Sequence, residues 1–119
     1  MKTTNNFKFI STEYLDGVSK NTDFIKKIIS LFKVEIKVYS ENMPKLLIDK
    51  NYEELAKLTH KAKSSISILG MMKQADDLKK IETDIQNFEN YETLEKRINN
   101  FLDDCEHAVS EIIIFEKTL

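Results

Sequence analysis

The chain has 119 residues, of which 41% are hydrophobic and 32% charged, a size and balance that favour one domain over residues 1–119 with a modest core. Its 2 glycines and 1 proline are too few for a turn-rich sandwich or barrel, and its single cysteine, Cys105, excludes a disulfide framework and a Cys-rich zinc module. The net charge of −2 conceals a split: residues 1–70 carry 12 lysines against 8 acids, and residues 71–119 carry 6 basic residues against 12 acids. That split argues against general nucleic-acid binding and for a basic patch turned toward an acidic protein partner.

In chain order, Met1–Ile10 lacks the long apolar run of a signal peptide. No stretch approaches the roughly 18 apolar residues of a membrane span, so a reducing cytoplasm and no membrane are expected. Ser11-Thr12-Glu13 suits the start of a short first helix carrying Tyr14, Leu15 and Val18 and ending near Gly17. A longer helix opens at Asn21 or Thr22, either a good N-cap. Its apolar positions Ile25, Ile28, Ile29, Phe32, Ile36, Tyr39, Met43, Leu46 and Leu47 recur at helical spacing. Pro44 lies inside that stripe and predicts a kink rather than an end, because the stripe continues past it. Asn51, with Glu54 at the capping-box position, opens a third helix that runs to Leu69, with Gly70 as the stop. A fourth stripe reads Met72, Ala75, Leu78, Ile81, Ile85 and Phe88. Asn90 separates it from a last helix with Leu94, Ile98, Phe101, Cys105, Val109 and Ile112. The expected fold is all-α: an antiparallel up-down-up-down four-helix bundle with a short extra N-terminal helix covering one end.

The third helix carries the informative residues. Taking the direction of His60 as zero and advancing about 100° per residue puts Leu55, Leu58, Ala62, Ile66 and Leu69 at roughly 220°, 160°, 200°, 240° and 180°. The core stripe then centres near 200°, and His60 points almost straight out of the bundle. Ala56, Lys57, Lys63, Ser64 and Ser67 share its face. An exposed neutral imidazole is a nucleophile at physiological pH, a nearby lysine offers positive charge to a phosphoryl group, and small neighbours let another protein reach the ring. No Gly-rich phosphate loop, Walker or kinase signature is present, so the phosphoryl donor is expected to be a protein rather than ATP.

The run His60-x-x-Lys63-Ser64-Ser65-x-x-x-Leu69-Gly70 resembles the signature of histidine-containing phosphotransfer domains, usually H-x-x-K-G-S/A followed by L-G. The resemblance extends over roughly residues 13–117. It includes the Asp23-Phe24 to Phe32 segment, a proline late in the second helix, and Asp49-Lys50-Asn51-Tyr52 before the third. It implies that His60 takes a phosphoryl group from the aspartyl phosphate of a hybrid kinase receiver domain and passes it to a response regulator. It also implies that Lys63 helps neutralise the phosphoryl oxygens, and that the partner supplies Mg²⁺, with no cofactor of the chain's own. Ala56, Lys57, Ser64 and Ser67 are then the expected docking face of a monomeric phospho-carrier without ATP-dependent kinase activity. Lys57, Lys61 and Lys63, with Lys26, Lys27, Lys33 and Lys37 of the preceding helix, are expected to offer it a basic surface. Ser64 departs from the family's usual glycine and adds a β-carbon and a hydroxyl beside the ring. The alternative function is a bundle that docks a receiver or kinase without phosphotransfer.

Other groups read as structural. In Asp103-Asp104-Cys105-Glu106-His107 the residue types suit a metal, yet Cys105 falls on the core stripe, His107 points about 160° away from it, and no third or fourth ligand is evident. Met71, Met72, Phe24, Phe32, Phe88, Phe101 and Phe115 read as core filling. Glu82 and Asp84 read as carboxylates facing water.

Overall fold

The computed structural model describes residues 7–18 and 20–119. The chain forms α1 (Thr12–Val18), α2 (Thr22–Ile48), α3 (Tyr52–Ile68), α4 (Met72–Gln86) and, after a 3₁₀ turn over Tyr91–Thr93, α5 (Leu94–Glu116). No strand occurs among the described residues. Four of these helices are long, and together they enclose one core in a body of 49 × 21 × 20 Å.

The helix ends are set by local chemistry. The Asn21 side-chain oxygen accepts from the Phe24 amide at 3.2 Å and that of Asn51 from the Glu54 amide at 3.4 Å, so each satisfies a donor that the first helical turn leaves open. The Glu54 side chain does not complete a capping box in return: the Asn51 amide donates to the Leu46 carbonyl at 2.9 Å, and Glu54 pairs with Lys57. Helix α2 continues through Pro44 for one more turn to Ile48. At the end of α3, Gly70 takes φ 75°, the Gly70 amide donates to the Ser67 carbonyl and that of Met71 to the Ile66 carbonyl. The same paired bonds close α2 around Lys50 (φ 57°) and α4 around Phe88 (φ 58°), where a side chain occupies the left-handed conformation that glycine adopts freely.

Ile25, Ile29, Phe32, Ile36, Tyr39 and Met43 of α2 face Leu55, Ala62 and Ile66 of α3, Leu78, Ile81 and Ile85 of α4, and Leu94, Ile98, Phe101, Cys105, Ala108, Ile112 and Phe115 of α5. Ile28, Leu46, Leu47 and Val109 are half-buried at its margins. In α1, Leu15 is buried, whereas the side chains of Tyr14 and Val18, expected beside it, lie outside the described set. The Ser11 amide donates to the Leu69 carbonyl at 2.8 Å, joining the start of α1 to the end of α3. Ahead of α1, the amides of Lys8, Phe9 and Ile10 all donate to the Glu111 carboxylate, which straps this segment to α5.

Three residues expected in the core are outside it. Phe88 is 81% exposed because it follows the last turn of α4, beyond the end of the core. Met72 is exposed because Met71, one position earlier, takes the buried place under the Gly70 turn. Phe24 is exposed in the first turn of α2, where Ile25 faces inward instead. Met71, Phe32, Phe101 and Phe115 are buried as expected.

Candidate functional site

The core-facing side of α3 is rotated from the sequence expectation. Ala56 and Thr59 are buried, whereas Leu58 is only half-buried. Thr59 enters the core because its hydroxyl donates to the Leu55 carbonyl at 2.7 Å, leaving no unmet polar group. With Leu55, Ala56, Thr59, Ala62, Ile66 and Leu69 inside, the buried arc centres near 240°, about 120° from His60. His60 therefore leaves the helix on its α4 flank rather than opposite the core.

That rotation brings His60 to Glu82. The ring Nδ1 lies 3.1 Å from one Glu82 carboxylate oxygen and 3.2 Å from the other. Glu82 was expected to face water; its side chain is only 15% exposed, while that of His60 remains 59% exposed. A carboxylate only accepts, so Nδ1 is the donor, and in the neutral ring the lone pair sits on Nε2. Asp84 also departs from expectation: its carboxylate accepts from the Arg97 guanidinium at 2.8 Å. That hydrogen bond, helped by one from Asn90 and opposed by partial burial, holds the Asp84 carboxyl below its usual range.

Around His60, Lys63 is half-buried and Ser64 exposed. Ser67 is half-buried, and its hydroxyl donates to the Lys63 carbonyl at 2.8 Å. Lys57 is exposed and pairs with Glu54 at 3.2 Å, a hydrogen bond that raises the ammonium above its ordinary pKa. Ala56, expected on the docking face, is buried, but it floors a groove of about 720 Å³ that also includes Tyr52, Lys57, His60, Glu82 and Ile85, with Phe88 at its lip. Behind the site, the Tyr39 hydroxyl donates to Ser65 Oγ at 3.0 Å, and Ser65 in turn donates to the Lys61 carbonyl. Burial pushes the Tyr39 phenol up to about 12, against the opposing hydrogen bond with Ser65.

The structure thus gathers His60, Lys57, Ser64 and Ser67 on one side of α3, with Lys63 at its edge toward α4. It does not bring all the α2 lysines there. Lys33 pairs with Glu116 of α5 at 2.7 Å, and Lys37 shares with Lys33 a groove between α2 and α5. The Asp103–His107 run stays dispersed: Cys105 is buried, with its thiol pushed up by that burial, and His107 stacks on Phe9 at 5.4 Å. Among the described residues no three His, Cys, Asp or Glu side chains meet as a metal site, and no helix is long and apolar enough to cross a membrane.

Glu82, the partner of His60, is the candidate site residue that sequence reasoning missed. A usable signal was present: His60 and Glu82 stand equally far from Met71, so folding α3 and α4 back on each other at the Gly70 turn sets them opposite. Comparison with protein-family models, curated proteins and solved structures gives no match to this chain.

Proposed function

We propose that this chain is a histidine phosphotransfer protein of a multistep phosphorelay. The observation that carries the reading is the His60 imidazole, held through Nδ1 by Glu82 and open to solvent at Nε2. The Nε2 lone pair attacks the phosphorus of a receiver's aspartyl phosphate. The P–O bond breaks with its electrons on the departing carboxylate, and an N–P bond forms. The Nδ1 proton stays where Glu82 accepts it, so the positive charge that develops on the ring is met without a separate proton transfer. Lys63 lies one turn along α3 and offsets the phosphoryl oxygens' charge, and the Mg²⁺ belongs to the partner's aspartate site. The reverse step on a response regulator returns the chain to its starting state, so it acts as a carrier rather than as an ATP-dependent kinase.

The architecture supports the same reading. Tyr39 meets Ser65, His60 meets Glu82, Arg97 meets Asp84 and Lys33 meets Glu116, contacts that are consistent with antiparallel neighbours. We read the four long helices as an up-down-up-down bundle, with α1 across the end where Ser11 meets Leu69. The groove beside His60, with Ala56 and Ile85 in its lining, offers a receiver domain a place to dock. In this reading the protein works as a cytoplasmic monomer, since one exposed helix face is enough for transfer.

The test is incubation with phosphorylated receiver domains, followed by localisation of acid-labile phosphate. The expected result is phosphate on His60, lost in His60→Gln. The melting curve should move by no more than about 0.5 kcal/mol, because the ring lies on the surface. Phosphate on His107 would overturn the assignment, and receiver binding without any phosphohistidine would favour the docking-only alternative.

A further inference from the structure

We infer that Lys79 of α4 joins Lys63 of α3 in a notch for a phosphoryl or phosphate group on the seam beside His60, an inference that rests on the reading of His60 as the phosphoryl carrier. Helices α3 and α4 fold back on each other at the Gly70–Met71 turn. His60 and Glu82 are equidistant in sequence from Met71 and touch at 3.1 Å. Ala56 and Gln86 are also equidistant from it and line one groove. Lys63 and Lys79 obey the same register, so they lie across the seam from each other, about 5 Å nearer the connecting turn than His60 and Glu82.

The ion pairing of these helices leaves the same two residues open. Lys57 is taken by Glu54, Lys73 by Asp77 and Lys80 by Asp76. Among the described residues, no carboxylate pairs with Lys63 or Lys79. Lys61 is also unpaired there, but it leaves α3 about 100° away from His60, on the α2 side. Two unpaired ammonium groups facing each other across a seam repel, and a doubly charged tetrahedral oxyanion placed between them removes that repulsion. A four-carbon stem is long enough to span one helical turn, the separation between these two lysines and His60 along the seam. Ser64 and Ser67 keep the intervening surface low, the Glu82 carboxylate is engaged by Nδ1, and Asp76, at i−3 from Lys79, is taken by Lys80. The notch therefore favours the phosphorylated ring over the free one.

Phosphoramidate tests the covalent arm without a partner protein: the Nε2 lone pair attacks phosphorus, the P–N bond breaks, and ammonia leaves. With wild type, Lys63→Gln, Lys79→Gln and Lys61→Gln, the rate of His60 phosphorylation and the lifetime of the product are measured. Lys79→Gln is expected to slow phosphorylation about 5- to 30-fold, as Lys63→Gln does, with Lys61→Gln within about twofold of wild type. A Lys79→Gln rate within about twofold of wild type overturns the notch. Titration of the unmodified protein with inorganic phosphate, followed by NMR of the His60 ring, reads the free-anion arm. A saturable shift in wild type, lost in Lys79→Gln, is expected, and an equal response in the two proteins overturns the site. Phosphate binding that needs Lys79, in a protein that no receiver phosphorylates, would sink the relay reading and leave the notch. Receiver-driven phosphorylation of His60 at unchanged rate in Lys79→Gln would do the reverse.

Discussion

Glu82 decides what the His60 ring is able to do. Without an acceptor at Nδ1 the imidazole rotates freely and divides its proton between two nitrogens. With Glu82 at 3.1 Å the proton is held on Nδ1 and the nucleophilic lone pair on Nε2. If His60 is the phosphoryl carrier proposed above, Glu82→Ala is expected to slow phosphoryl acceptance about 10- to 100-fold, while Glu82→Gln, whose amide oxygen still accepts from Nδ1, recovers part of the loss. Rates measured with one phosphorylated receiver check this, and equal rates for the two variants would show that the contact is structural only. Ser64 tests the proposed docking face. It is exposed, at i+4 from His60, with its Cβ about 5–6 Å away. Ser64→Gly should change transfer less than tenfold, because glycine removes atoms from a face that is already open. It should also lower stability by roughly 0.5 kcal/mol through helix propensity alone. Ser64→Leu should weaken receiver binding strongly in a titration, and unchanged binding would move the docking surface elsewhere. The exposure of His60 was legible in the sequence, but its tilt toward α4 and the burial of Ala56 were not. The carboxylate across the seam was missed, because it is found only by counting equal distances from the Gly70–Met71 turn, not from the residue types on either helix.

At the scale of elements, the helix starts at Asn21 and Asn51 and the stop at Gly70 were legible because those residue types carry their own mechanism: a side-chain acceptor for open amides, and free access to positive φ. The stops at Lys50 and Phe88 were not, since nothing in lysine or phenylalanine marks a left-handed residue. Nor was the rotation of α3, because a threonine that satisfies its own hydroxyl within the helix passes for an apolar residue only once its bond to Leu55 is seen. The left-handed conformation costs a residue with a β-carbon about 1–2 kcal/mol. Gly70→Ala is accordingly expected to destabilise the fold by about 1 kcal/mol and to loosen the turn that sets the α3–α4 register. Phe88→Gly should do the opposite and stabilise by up to about 1 kcal/mol, since Phe88 is 81% exposed and gives up little packing. Urea titrations of both variants check the pair of signs. A destabilised Phe88→Gly would mean that the groove-edge ring packs more strongly than its exposure implies.

Across the whole molecule, the all-helical class and the membership of most of the core were legible from composition and the 3.6-residue period, and the charge split between the chain's two parts was plain. The strap at residues 7–10 was not, because a single carboxylate, Glu111, gathers three backbone amides from the far end of the chain. The core also buries two acidic groups, the Tyr39 phenol and the Cys105 thiol, each in its neutral form and each with its pKa raised first by burial. A folded pKa above the unfolded value gives stability that is complete below the unfolded pKa and is lost as pH rises through the folded one. For Tyr39 the window runs from about 10, the ordinary phenol value, to about 12 in the fold. Cys105 begins the loss earlier, from about 8.5, the unperturbed thiol value. The melting temperature is therefore expected to hold through neutral pH, fall gradually above about 8.5 and steepen above about 10. Tyr39→Phe should flatten the upper part of that decline, at the cost of leaving the Ser65 hydroxyl without its donor near neutrality. Cys105→Ala should flatten the lower part, although the cavity it opens lowers the whole curve. Thermal melts of the three proteins between pH 7 and 12 check the ordering. A wild-type curve that stays level through that range would show that the phenol and thiol ionise in the folded state without disturbing it.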